Sequence, residues 1–256
     1  MLKIVFMGTP NFSVPILEAL IEKYEVVGVV TQPDKEVGRK RILQPTPVKE
    51  CALAHNVKVF QPKNIREEYQ EIIDLNPDLI VTAAYGQIVG TKLLKYPKYK
   101  SINVHASLLP LYRGGAPIHK AIMDGQKETG VTIMYMEKKM DAGDILAQRS
   151  MPILDTDNCG LMFEKLSYLG RDLLIETIEK LIDGSIVPLK QDESKVTYAY
   201  NISKEEELLD FDKDARSVFN HIRGLNPFPG AYMLLKDEAL KVYEAKIVDY
   251  EHNKEI

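Results

Sequence analysis

Residues 2–30 run LKIVFMGTPNFSVPILEALIEKYEVVGVV: a short apolar run, a turn, an amphipathic segment and a second apolar run. Residues 2–7 read as a buried strand and Gly8-Thr9-Pro10-Asn11 as a turn. Residues 13–23 read as a helix with Val14, Leu17, Leu20 and Ile21 on one face. EVVGVV, 25–30, follows as another buried strand. A strand, tight turn, helix and strand in this order begin a parallel α/β sheet.

The alternation continues outward. After a long loop, 47–55 reads as a helix with Thr46 as N-cap and Pro47 at its first position, and 57–60 as a short strand. Asn64, followed by Glu67, reads as an N-cap opening a helix to about Asp74. Two further buried strands, 78–83 and 101–105, precede a helix at 117–123, strands at 129–136 and 144–151, and the longest amphipathic helix, 160–183, ending at Gly184. The pattern predicts a Rossmann-like, doubly wound, mostly parallel sheet over 1–185. A polar, extended linker occupies 186–203, and a second small unit occupies 204–256. That unit holds a helix around 215–222, a turn at 226–230, strands at 231–235 and 239–248, and a charged tail, 251–256.

Composition excludes several classes. With 256 residues, 45% apolar and 27% charged, 15 Gly and 14 Pro, the chain is neither disordered, collagen-like nor coiled-coil. A net charge of −4 argues against a uniformly basic nucleic-acid surface but leaves room for a local basic patch. Cys51 and Cys159 are too few for a disulfide framework or a four-ligand zinc site and read as core residues, and the remaining histidines have no metal-ligand spacing, so no metal is expected. No signal segment and no 18-residue apolar run occurs, so a soluble, cytoplasmic monomer without membrane contact is expected. The first turn lacks G-x-G-x-x-G and no acidic residue ends the second strand, which argues against a dinucleotide enzyme.

Asn103 and His105 lie two apart at the C-terminal end of a predicted strand, so their side chains share one side of it, at the end where open parallel sheets bind ligands. An amide donor and an imidazole converging there can stabilise an oxyanion and move a proton. On spacing alone, a strand end whose Asn and His merely satisfy backbone groups is an equal reading. Asp141, in Met140-Asp141-Ala142-Gly143-Asp144, could orient His105, although simple turn chemistry explains an isolated Asp-x-Gly better.

NVHASLLPLYRGGAP (103–117) with MDAGD (140–144) resembles the folate-dependent formyltransferases. FMGTP (6–10), TQPD (31–34) with Gly38-Arg39, PTPVK (45–49), AYGQI (84–88) and IRGLNPFPGA (222–231) are similar to the branch of that family whose acceptor is methionyl initiator tRNA. The resemblance spans essentially the whole chain. It implies transfer of a formyl group from 10-formyltetrahydrofolate, as cosubstrate, to the α-amine of methionine on initiator tRNA. It implies Asn103, His105 and Asp141 as the catalytic set. Ser107, Leu108, Leu109 and Pro110, together with Tyr85, Gly86, Gln87 and Ile88, would line the folate pocket, and Arg39, Lys40 and Arg41 would contact RNA, with Lys49 adding a fourth positive charge to that loop. A tyrosine beside a glycine also occurs in ordinary loops, and a run of four basic residues can simply be solvated. The sequence departs from the family in two places. Further strands of the barrel-like (OB-like) second domain are absent, implying a truncated unit, and Lys138-Lys139 precede Met140-Asp141 where acidic or small residues are usual. A formyltransferase acting on a nucleotide amino sugar or other small amine, or a noncatalytic folate- or RNA-binding module, are the competing readings.

Overall fold

The computed structural model describes residues 1–38 and 41–248. Strand β1 (Lys3–Gly8) leads through a short 3-10 turn into α1 (Val14–Lys23) and β2 (Glu25–Val30). Then come β3 (Lys35–Val37), β4 (Ile42–Gln44), α2 (Pro47–Ala54), β5 (Val59–Phe60), α3 (Gln70–Ile73), β6 (Leu79–Ala83), α4 (Thr91–Lys95) and β7 (Ser101–His105). The first unit closes with α5 (Pro117–Met123), β8 (Glu128–Tyr135), β9 (Ile145–Pro152) and α6 (Cys159–Asp183). The main sheet has the order β5-β2-β1-β6-β7-β8-β9, parallel from β5 to β7 and antiparallel across β7/β8 and β8/β9. The β8–β9 connection is too short for a parallel crossover, which takes a dozen or more residues, so β9 returns antiparallel to β8.

Alternation along β1 explains the continuous apolar run that opens the chain. Ile4 and Phe6 enter the core beneath α1, α2 and α6, while Val5 and Met7 enter a second core with Ile65, Ile72 and Leu93, and all four are fully buried. Helix α6 starts at Asn158, whose side chain accepts from Leu161 N–H at 2.9 Å, and stops at Gly184, whose φ of 78° suits a left-handed cap. It lies so close to the sheet that a Cβ at Gly170 would come within 2.8 Å of Val104.

Four local expectations are corrected. The stretch from Asn64 to Asp74 is helical only at Gln70–Ile73. Asn64 closes a turn instead, its Oδ1 accepting from Arg66 N–H, while the N–H of buried Ile65 donates to Gln87 Oε1 at 2.9 Å. The long loop after β2 folds partly as the antiparallel hairpin β3–β4. A one-turn helix, α4, was not anticipated, because five residues are too few to show a helical period. Beyond residue 200 the structure shows α7 (Ala215–Leu225) and a hairpin of β10 (Ala231–Leu235) and β11 (Glu238–Val242), whose second strand is shorter than the 239–248 expected. The tail 251–256 lies outside the described residues. No helix of the described residues is long and apolar enough to cross a membrane.

The second unit packs α7 on α5. A Cβ at Gly224 would sit 2.6 Å from Met123, and the half-buried His119 ring donates from Nε2 to the Phe228 carbonyl (3.2 Å) and meets Phe163 edge-on. Behind α7, the buried Arg223 donates to the carbonyls of Leu154 (2.6 Å) and Asp157 (3.0 Å). Burial lowers the pKa of both His119 and His221 below the ordinary 6.5. The unfolded chain therefore binds these protons first as pH falls through that value, and stability decreases on the acid side of it. Urea unfolding at about pH 7.5 and 5.5 should show this loss, and a His119→Gln/His221→Gln double variant should flatten it. An undiminished pH slope in that variant would refute the assignment.

Candidate active site

The chain builds β2 and β5 on one side of β1, then β6 and β7 on the other, so strand order reverses between β1 and β6. Ligands bind beyond the C-terminal ends of strands at such a point. A cavity of about 650 Å³ opens there. Its wall comprises Phe12 beyond β1, Thr82 and 84–89 at and beyond β6, and Asn103 to Ala106 at the end of β7. Gly114, Gly115, Pro117, Ile118, Asp141, Phe163 and Tyr200 close it from other elements.

Asn103, His105 and Asp141 all line this cavity. The Thr82 hydroxyl donates to Asn103 Oδ1 at 2.7 Å, which leaves the Nδ2 hydrogens for the cavity. His105 Nε2 lies 3.0 Å from the Tyr112 carbonyl. A carbonyl only accepts, so Nε2 carries the hydrogen and Nδ1 keeps the basic lone pair. Asp141 Oδ2 accepts from Gly114 N–H at 2.8 Å and stands 3.8 Å from His105 Nδ1. At 3.8 Å the two side chains are not hydrogen-bonded to each other; backbone groups of Tyr112 and Gly114 hold them separately, and Asp141 faces the imidazole as a nearby charge. The carboxylate remains close enough to stabilise an imidazolium. A fixed donor, a base and a carboxylate around one cavity can carry out acyl-type transfer.

Among the remaining expected residues, Tyr85, Gly86, Gln87 and Ile88 line the cavity, with Ile88 67% exposed at its lip. The Tyr85 carbonyl accepts from Thr9 (2.8 Å) and Gln32 (3.1 Å), and Gly86, at φ 91°, turns the loop. Tyr85 Oη is buried with no partner among the described residues, and burial raises its pKa. The Gln87 amide is spent on Ile65 N–H and the Pro62 carbonyl, so it braces this loop. Ser107, Leu108, Leu109 and Pro110 are not part of the cavity wall. They stand behind it: Ser107 Oγ donates to the Leu111 carbonyl, Thr132 Oγ1 to the Ser107 carbonyl, and Gln148 Nε2 to the Leu109 carbonyl. Their bonds anchor the backbone that leaves β7.

In the basic loop, Arg39 and Lys40 lie outside the described residues. Arg41 follows them, 83% exposed, with its nearest carboxylate, Glu36, at 3.9 Å. Lys49 is not a free cation; it bonds Asp34 at 2.6 Å, and this bond with that from Gln61 lowers the Asp34 pKa. Lys139 pairs with Glu193 at 2.6 Å, and Lys138 joins the cavity wall. Cys51 and Cys159 are buried, burial pushing their thiols up to about 11 and about 12. Among the described residues, no three His, Cys, Asp or Glu side chains group as metal ligands. Thr82 was missed by sequence reasoning because a threonine inside DLIVTA looks like an ordinary strand residue. Its pairing opposite Asn103 in the β6/β7 register is what reveals it.

The sequence profile described as "Formyl transferase" matches residues 2–178, and "Formyl transferase, C-terminal domain" matches 201–256. The chain belongs to the formyl transferase family. Among its formyl transferase relatives, the methionyl-tRNA formyltransferase of Listeria monocytogenes serotype 4a (strain HCC23) is 55% identical over 257 residues, covering 100% of this chain and 81% of that protein. The methionyl-tRNA formyltransferase of Bacillus licheniformis is 58% identical over 249 residues, covering 96% of this chain and 79% of that protein. Solved structures share the fold. A 4-N formyltransferase from Francisella tularensis superposes with a TM-score of 0.76 at 19% identity, covering 96% of this chain and 98% of that one. An N-formyltransferase from Helicobacter canadensis, in complex with folinic acid and dTDP-3-aminofucose, gives 0.75 at 21%, covering 100% and 93%. The formyl transferase site leads to a test of Thr82: Thr82→Val removes the hydroxyl that fixes Asn103. It should lower kcat for formyl transfer about tenfold with the KM for the one-carbon donor nearly unchanged, as steady-state kinetics would show.

Proposed function

We propose that the chain transfers a formyl group from 10-formyltetrahydrofolate to the α-amine of methionine esterified to initiator tRNA, in the cytoplasm where translation begins. The observation that carries this reading is the convergence of Asn103, His105 and Asp141 on one cavity in a chain 55% identical, along its whole length, to a methionyl-tRNA formyltransferase. A volume of about 650 Å³ falls within the range of small-molecule sites and suits a pterin head.

The chain's own groups then divide the work. The Asn103 Nδ2–H donates to the oxyanion that forms when the amine attacks the formyl carbon, a contribution typically of ~10²–10³ in rate. His105 takes the amine proton at Nδ1. The resulting imidazolium, stabilised by Asp141 and anchored at Nε2 by the Tyr112 carbonyl, returns a proton to the departing folate nitrogen. The β3–β4 hairpin, with exposed Ile42 and Leu43 beside Arg41, is the element we assign to the acceptor end of the tRNA, together with Arg39 and Lys40.

His105→Ala and Asp141→Asn should each reduce formyl transfer by about 10²-fold or more while folate binding persists; near-normal turnover in either would remove this mechanism. The acceptor is tested by supplying charged initiator tRNA and a nucleotide amino sugar in competition. Transfer to the sugar alone would select a small-amine formyltransferase instead. Neutralising Arg39, Lys40 and Arg41 together should raise the tRNA KM and flatten its salt dependence, and an unaltered salt slope would exclude these residues from phosphate contact.

A further inference from the structure

Gln191 lies in the polar segment between the two units, outside every motif that pointed to the active site. Its side chain is fully committed. Nε2 donates to the carbonyls of Asp141 and Gly143, both at 2.8 Å, and Oε1 accepts from Arg113 Nη2 (2.8 Å) and Nε (3.1 Å). Arg113 is 0% exposed and also binds Glu193 at 2.8 Å, so the guanidinium is a fixed post. Its chain neighbours hold the catalytic groups, Tyr112 through its carbonyl to His105 and Gly114 through its N–H to Asp141.

Asp141 itself has φ 49°, the left-handed region that Asp enters more readily than most non-glycine residues, and so forms the corner of a tight turn. Gln191 grips the backbone of this turn on both sides of Ala142 and ties it to Arg113. We propose that Gln191 is a positioning residue for the Asp141 carboxylate, so that the connecting segment forms part of the active site. The proposal rests on the catalytic role given to Asp141 above. Distance arithmetic makes the dependence sharp: a small rotation of this turn would break the 2.8 Å bond from Gly114 and carry the carboxylate away from its 3.8 Å station beside His105.

The test uses Gln191→Glu and Gln191→Leu in the full chain. Glutamate keeps an acceptor for Arg113 but cannot donate to the two carbonyls, so its buried partner stays satisfied. Both variants should lose about tenfold or more in kcat with the KM for 10-formyltetrahydrofolate within about twofold of the parent. Each is then combined with Asp141→Asn. If Gln191 acts through the carboxylate, it should add little to the loss that Asp141→Asn already causes. Full additivity, or wild-type kcat in Gln191→Glu, would overturn the positioning role. Harmlessness of Asp141→Asn alone would instead strike the catalytic reading on which it rests.

Discussion

Burial of the first strand on both faces is the constraint from which the architecture follows. Lys3–Gly8 sends Ile4 and Phe6 to one core and Val5 and Met7 to the other, each with no exposure. Such a strand needs a cover on both sides, which α1 and α6 supply on one face and the α3 and α4 region on the other. Placing it near the middle of the sheet puts the reversal of strand order beside it. The ends of β1, β6 and β7 then open onto a common crevice, and the chemistry gathers where the packing requires a gap.

Within that crevice the side chains proposed to react are oriented by groups outside the proposed catalytic set. Thr82 bonds the Asn103 side-chain amide, and the Tyr112 carbonyl settles which nitrogen of His105 is basic. Backbone donors and acceptors suit this task because they carry no rotamer freedom of their own. Binding His105 and Asp141 to atoms two residues apart in one rigid stretch fixes their separation without a direct bond between them.

The main elements were legible because each announces itself by a local period or cap: apolar strands at 101–105 and 25–30, a Pro at the first position of α2, and Gly184 after α6. The second residue set that mattered, Thr82 and Gln191, was invisible for a physical reason. Each acts through a contact between segments far apart in the chain, and nothing in its immediate neighbourhood marks it. The failed helix at Asn64 shows the same limit from the other direction. The capping contacts of Asn64 do form, Arg66 N–H donating to its Oδ1 and Glu68 N–H to its carbonyl, but they close a single turn and regular helix begins only at Gln70. Ser107 to Pro110 lie adjacent in sequence to the site yet serve as its foundation, since proximity along the chain does not say which side of a wall a residue occupies.

The segment that joins the two units behaves as masonry rather than tether. Arg113 N–H donates to the Thr197 carbonyl at 2.9 Å, Ala199 N–H to the Arg113 carbonyl at 2.7 Å, and Ala116 N–H to the Ala199 carbonyl at 3.0 Å. A Cβ on Gly114 would stand 2.5 Å from that same carbonyl. Nicking the chain between 186 and 200, or splicing a foreign C-terminal unit at that seam, would therefore strip backing from the reaction chamber. The natural boundary for exchanging acceptor-binding modules lies beyond Tyr200, after the last course has been laid.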